Sequence, residues 1–432
     1  MSSSRRRVAV TGMGVVSPAG SSLPAFWKAL VAGRSAVRPL SHFDASAYPT
    51  RIGAEVPPGG APLPERAPRS LDRITRFALS AASSALDDAG LAEMEPAVGR
   101  LDPRRVGVLI AAGLGRYGHA EVFAPCAAAL TESGAFDGEA FAHALIARLE
   151  PHAAERRTPV SVPAAVARHF GFTGPVMSVM TACAAGTQAL GDAARWIRGG
   201  DADIVVAGGA DSELYPMGLA SFCLLGALST RNDAPGTASR PFDADRDGFV
   251  LGEGAGILVL EEWEHARRRG ARIHAEVSGF GSACDSYRVT DPHPDGAGAV
   301  LAMERALADA RLASGRIGYV NAHGTSTVAN DRIETRALKR VFGAAAGSVP
   351  VSSTKSMIGH LTVAAGAVEA IATVLTLDRQ TIHPTANLAR PDPECDLDYV
   401  PGAARAARIE HAISNSFAFG GQCASLILSR PA

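Results

Sequence analysis

The stretch VMTACAAGTQAL, Val179–Leu190, sets one cysteine, Cys183, among small residues where an apolar lead-in, GPVMSVM, gives way to a helix-forming run. A strand followed directly by a helix is the unit of an α/β fold, and the turn between them is where such folds expose reactive side chains. Ala182, Ala184, Ala185 and Gly186 leave the sulfur approachable. A thiol there would also feel the unpaired N–H groups and positive end of the following helix, which favours thiolate and supplies donors for an oxyanion. The same small residues equally suit a cysteine that fills a tight gap. Its partners decide between the two.

Outward from this turn, strand-like and alanine-rich helical runs alternate. RRVAVTGMGVV, RVGVLIAAG, DADIVVAGGA and GAGILVLEE are apolar, β-rich and bounded by glycine, whereas LDRITRFALSAASSALDDAGL carries apolar residues at helical spacing and stops at Gly90. The second half repeats the style with RIHAEVSGFGSA, AGAVLAMERALADARL, IGYVNAHGTST and AISNSFAFGGQCASLILS. The alternation predicts buried strands covered by helices, in two related units, 1–258 with the cysteine turn and 259–432 with histidine turns. Residues 115–160 pattern less clearly and read as a helical excursion over the core, and PPGGAPLPERAP (57–68) as a surface loop.

Composition narrows the function. The chain has 432 residues, 47% hydrophobic and 20% charged, with a formal net charge of -1, which argues against a nucleic-acid binder. No run reaches the ~18 apolar residues of a membrane span. The N-terminal SSSRRRVAVTGMGVVSPAG has the outline of a signal peptide, but Thr11, Gly12 and Gly14 interrupt it, and it reads as a first strand with a glycine turn. Ser17 stands where a dinucleotide fingerprint needs its third glycine, so a plain tight turn is expected. The six cysteines (126, 183, 223, 284, 395 and 423) form no CxxC pair, so neither a disulfide framework nor a zinc site is expected and a reducing cytoplasm is the default.

Cys183 does have company. YVNAHGTSTVANDRIET puts His323 at the end of an apolar strand, and VSSTKSMIGHLTVAAGAVEAI puts His360 just past Lys355, one of only three lysines among 42 basic residues. Either histidine alone could be a satisfied structural residue. Two in similar turns, with a cysteine in a third, make a constellation for acyl transfer.

On these residues the chain resembles the β-ketoacyl-[acyl-carrier-protein] synthases of the type II elongating class, within the thiolase-fold superfamily. The likeness runs from VAVTGMGVVSPAG through TACAAG, RPFDADRDGFVLGEGAGILVLE, NAHGTST and SSTKSMIGHLTVAAGAVEA to NSFAFGG. It implies a five-layer αβαβα fold of two pseudo-duplicated halves, usually dimeric. Cys183 would take the acyl chain as a thioester. His323 and His360 would assist decarboxylation of malonyl-carrier protein, by stabilising the enolate oxygen or positioning water. The N–H groups of Cys183 and Phe419 would form the oxyanion hole, with Phe419 also the gate. Lys355 would pair with Glu369. Asp331 and Glu334 would organise the site and help hold a structural cation. Thr325 and Thr327 would bind the phosphopantetheine arm, which arrives on the carrier protein. The resemblance implies neither a catalytic metal nor a resident cofactor.

The chain departs from the pattern at Gln422 and Cys423, where GGTN is common. A second cysteine near the C-terminus also belongs to thiolases, but those lack GTST followed by TKSMIGH. A non-catalytic chain-length-factor-like subunit would lack Cys183. The expected activity is therefore condensation, in a specialised polyketide or polyene pathway or in housekeeping fatty-acid elongation. The expected assembly is a homodimer, or a heterodimer with a chain-length-factor-like subunit.

Overall fold

The computed structural model describes residues 5–431, apart from 66, 69–70, 92–100, 114–118 and 149–157. Its main sheet has ten strands. They are β1 (Val8–Val16), β2 (Val106–Ala112), β3 (Val176–Met177), β4 (Ile204–Ser212), β5 (Glu253–Glu262), β6 (Ala275–Cys284), β7 (Tyr319–Asn321), β8 (Val351–Ser352), β9 (His411–Phe417) and β10 (Gln422–Ser429). Among the helices that pack on it are α1 (Arg73–Asp88), α2 (Ser161–Phe170), α3 (Ala185–Gly199), α4 (Ala297–Ala310), α5 (Val328–Phe342) and α6 (Ala365–Arg379).

The strand order is β8-β7-β9-β10-β6-β1-β5-β4-β2-β3. Each half runs β-α-β-α-β-α-β-β along the chain, and both lay their strands down in the same order. In the first half β1 and β4 flank β5 antiparallel, and β4, β2 and β3 are parallel. In the second, β6 and β9 flank β10 antiparallel, and β9, β7 and β8 are parallel. Within the main sheet the halves join where Ala9 and Val10 pair with Glu276 and Ala275. The repeat changes over in the connection 263–274, whereas a division at 258/259 falls inside β5.

Alternate side chains of each strand enter different cores, as a strand buried on both faces requires. In β5, Ala255, Ile257 and Val259 pack outward with α1 and α2, while Leu258 and Leu260 join the central cluster around α3 and α6. In β9, Ala412 faces the central cluster and Ile413 the outer core formed with α4 and α5. The result is helices, half-sheet, central helices, half-sheet, helices. Every residue of α6 from Ala365 to Leu377 is buried, the mark of a helix surrounded by protein rather than lying on a surface.

Two expectations about the elements fail. Gly12 and Gly14 lie within β1, not in a turn. A Cβ on either would collide with the carbonyl oxygens of Ala85 and Ala81 in α1. Gly279 and Gly281 in β6 meet Ala306 and Ala302 of α4 in the same way. GMG and GFG are therefore one device used twice, a strand stripped of side chains so that a helix can lie close. The lead-in GPVMSVM likewise forms only the two-residue strand β3. Of 115–160, helices His119–Ala128 and Gly138–Ile146 are present, while 115–118 and 149–157 lie outside the described residues. Residues 57–68 are loop wherever described.

Candidate active site

The repeat brings the predicted residues together. Cys183 sits in a single turn of tight helix, Ala182–Ala184, that leads into α3. Its counterpart in the second half is Thr362–Ala364, leading into α6. The sequences CAAG (183–186) and VAAG (363–366) occupy equivalent places, and the residue entering each turn has positive φ, 46° at Ala182 and 47° at Thr362. His323 follows β7 with one residue between, and His360 follows the one-turn helix Lys355–Ile358 after β8. All three side chains line a cavity of about 360 Å³. Leu225, Val289 and Val328, which also line it, are exposed and mark its mouth.

The backbone N–H groups of Cys183 and Phe419 both face the Cys183 sulfur. The expected lowering of the thiol is not what results. Burial pushes it up to about 11, outweighing the pull of the Lys355 charge and of the two N–H groups, with Asp211 adding to the rise. Removing a group from water penalises its charged form, and here that loss exceeds the nearby positive potential.

The histidines are neutral. Burial and the Lys355 charge hold both well below the ordinary histidine value, and for His323 the neighbouring His360 adds to the effect. The rings meet edge to face with centroids 5.4 Å apart. Lys355 Nζ lies 3.3 Å from His323 Nδ1 and donates to the His323 carbonyl at 2.7 Å. The Thr362 N–H donates to His360 Nδ1 at 3.1 Å. With both Nδ1 atoms accepting, the proton of each neutral ring sits on Nε2, so each ring keeps its Nε2–H as its remaining donor.

Lys355 is buried, ion-paired with Glu369. Burial pushes the Glu369 carboxyl up to about 7, against the lowering by Lys355. Glu334 accepts the N–H groups of His323 and Gly324 at 2.9 and 2.8 Å. Asp331 accepts the Phe242 N–H at 2.8 Å and pairs with Arg246 at 3.3 Å. These two carboxylates clamp the backbone of the HGTS turn, and their oxygens are spent on N–H donors and a guanidinium rather than left free for a cation. The side-chain oxygens without a hydrogen-bond partner among the described residues include Asn321 Oδ1, Glu369 Oε2 and Ser414 Oγ. Asn321 and Ser414 are register neighbours, and Asn321 Nδ2 reaches the Glu369 carbonyl at 3.4 Å. That oxygen set, rather than Asp331 with Glu334, has the chemistry to hold a hard cation.

Thr325 and Thr327 line the cavity and share a 3.0 Å hydroxyl contact, and Thr327 also caps α5 through the Asn330 N–H. Phe419 lies on the β9–β10 turn beside Gly420 and Gly421, whose φ values are 86° and 79°. The Gly420 N–H donates to the Val289 carbonyl at 2.6 Å, tying this turn to the loop at the cavity mouth. Cys423 is buried in β10 and forms part of the cavity wall. Gln422 pairs across the strands with Cys284. All six cysteines are free.

Sequence reasoning missed three participants. Asp211 accepts the Thr362 hydroxyl and the Val363 N–H. Arg246 donates to the Thr327 and Val328 carbonyls, both at 3.1 Å. Phe249 packs edge-on against His360 with centroids 5.3 Å apart. A fourth, Thr362, had a legible signal: it precedes VAAG as Ala182 precedes CAAG.

Comparison with known proteins identifies the family and its fold. Residues 5–266 match the model for the beta-ketoacyl synthase N-terminal domain, and 274–389 match its C-terminal domain. The chain is 43% identical to 3-oxoacyl-[acyl-carrier-protein] synthase 2 of Coxiella burnetii, covering 99% of each chain. It is also 43% identical to the putative polyketide beta-ketoacyl synthase 1 of Streptomyces cyaneus, again covering 99% of each. Among solved structures, the ishigamide ketosynthase/chain length factor superposes with a TM-score of 0.84 at 36% identity, covering 99% of this chain and 100% of that one. The protein belongs to the beta-ketoacyl synthase family, with the thiolase-like fold of that family.

Proposed function

We propose that this chain is a ketosynthase that condenses an acyl group with malonyl-carrier protein. The observation that carries this is one cavity in which a cysteine sulfur faces two backbone N–H groups while two neutral histidines each carry a proton on Nε2. The minor thiolate of Cys183 attacks the acyl thioester, the N–H groups of Cys183 and Phe419 hold the oxyanion, and the carrier thiol leaves. Malonyl-carrier protein then binds along Thr325 and Thr327 and loses carbon dioxide, and its enolate oxygen takes hydrogen bonds from His323 and His360. The enolate carbon attacks the Cys183 thioester, expels the thiolate and leaves a β-ketoacyl chain two carbons longer. Carbon dioxide loss drives the step, so no resident redox or nucleotide cofactor enters.

The partners are acyl and malonyl carrier protein and a second subunit, either a copy of this chain or a chain-length-factor-like relative. Six free cysteines suit a reducing compartment such as the cytoplasm. Among the described residues no helix is long and apolar enough to cross a membrane. The segment 115–160, which patterns less clearly than the rest of the chain, is what favours a specialised polyketide or polyene substrate over saturated chains.

Incubation with a panel of acyl-carrier proteins plus malonyl-carrier protein, read by mass spectrometry, tests both levels. Two-carbon extension is expected, with unsaturated or β-keto chains preferred. Efficient extension of saturated chains alone would overturn the pathway assignment. Cys183→Ala should abolish acylation, and continued acylation elsewhere would remove Cys183 as nucleophile. Cys183→Gln should still decarboxylate malonyl-carrier protein.

A further inference from the structure

Asp211 lies near the end of β4, in the half that carries the cysteine, and is 1% exposed. One of its oxygens, Oδ2, accepts both the Thr362 hydroxyl and the Val363 N–H, the latter at 3.1 Å. The other, Oδ1, accepts the Ser212 N–H at 2.8 Å, which fixes the carboxylate to its own strand. Thr362 has φ 47°, a left-handed conformation that a β-branched residue keeps only when its surroundings impose it. In that conformation its N–H reaches His360 Nδ1 at 3.1 Å. A relay of contacts thus runs from a carboxylate on the first half-sheet to an imidazole presented by the second.

We infer that Asp211 is a positioning residue for decarboxylation: by gripping Thr362 it holds the N–H that keeps His360 in the tautomer with Nε2 protonated. This rests on the role proposed for His360 above. The two tautomers of a neutral imidazole are chosen by the hydrogen bond at one nitrogen. If Thr362 relaxes to negative φ, Nδ1 loses its donor and the proton is shared between the nitrogens. In the other tautomer Nε2 presents a lone pair to the cavity and would repel an enolate oxygen. Because the Asp211 charge disfavours the Cys183 thiolate, its benefit to the reaction lies on the histidine side.

Nitrogen-15 labelling of the histidine rings tests this directly in the full-length protein, with the His360 signals assigned by their loss in His360→Asn. The wild type should show a bare Nδ1 and a protonated Nε2. In Asp211→Ala and in Thr362→Val the two signals should move toward an averaged position, and malonyl decarboxylation should fall about tenfold. Thr362→Ser, which keeps the hydroxyl, should restore both. Asp211→Asn should speed alkylation of Cys183 while slowing decarboxylation, opposite signs that general loosening would not produce. If Asp211→Ala unfolds, Thr362→Val and Thr362→Ser carry the test. An unchanged Nε2–H signature in folded Asp211→Ala or Thr362→Val would overturn the inference. Absence of decarboxylation in the wild type would instead overturn the activity, and the ring-nitrogen measurement would still decide the Asp211 relay.

Discussion

The reactivity of Cys183 should climb with pH well past the range where ordinary thiols level off. At pH 8 a thiol at about 11 is ionised to roughly one part in a thousand, against about one part in four for an unperturbed thiol near 8.5. The rate of alkylation by iodoacetamide, followed on the Cys183 peptide by mass spectrometry so that the other five cysteines do not contribute, should rise about tenfold per pH unit from 7 to 10. The Lys355 charge moderates this shift. For scale, two unit charges ~10 Å apart at an effective dielectric constant of ~20 interact by about 2 kcal/mol, more than one pKa unit. Lys355→Met should therefore slow alkylation at pH 8 by roughly tenfold and move the profile to higher pH. The same variant should raise both histidine pKa values, since Lys355 lowers both. A plateau below pH 9 in the wild type, or faster alkylation in a folded Lys355→Met protein, would refute the account of burial outweighing the positive potential.

Three further outcomes are expected. Gly421→Ala, whose Cβ would lie 2.5 Å from Asp285 Oδ1, should slow condensation at least tenfold, whereas Gly420→Ala, which points into open space, should cost only the ~1 kcal/mol of a left-handed alanine; product formation by mass spectrometry compares them. Glu334→Ala strands the N–H groups of His323 and Gly324 and should destabilise the protein by about 2–4 kcal/mol in urea unfolding. Arg246→Met leaves the buried Asp331 and Asp392 without their shared cation. It should cost about 3–5 kcal/mol in the same assay, with a higher KM for carrier-bound substrate because the GTST turn loses its clamp.

The strands and helices were legible because a buried strand and an alanine-rich helix each carry their own periodicity. The three chemical residues were legible because each stands in a turn of small residues, within motifs that run nearly the whole chain. Gly12 and Gly14 were misread because what they accommodate is α1, some 70 residues further along, and a glycine requirement set by a distant helix leaves no local mark. The sign of the Cys183 shift was misjudged for a related reason. The helix start behind the cysteine is local, but the protein that covers the thiol comes from both halves.

Residue types and their spacing determined that this chain is an α/β protein with a cysteine, two histidines and a lysine disposed for acyl transfer. Only the tertiary structure decided that the halves repeat strand for strand, that both histidines are neutral with the proton on Nε2, and that the thiol is raised. It also decided that a carboxylate 151 residues from Thr362 reaches it. Periodicity and turn chemistry act over a few residues and can be read along the chain. Desolvation, tautomer choice and charge coupling depend on what comes within a few ångströms in space, and that exists only once the two halves have packed.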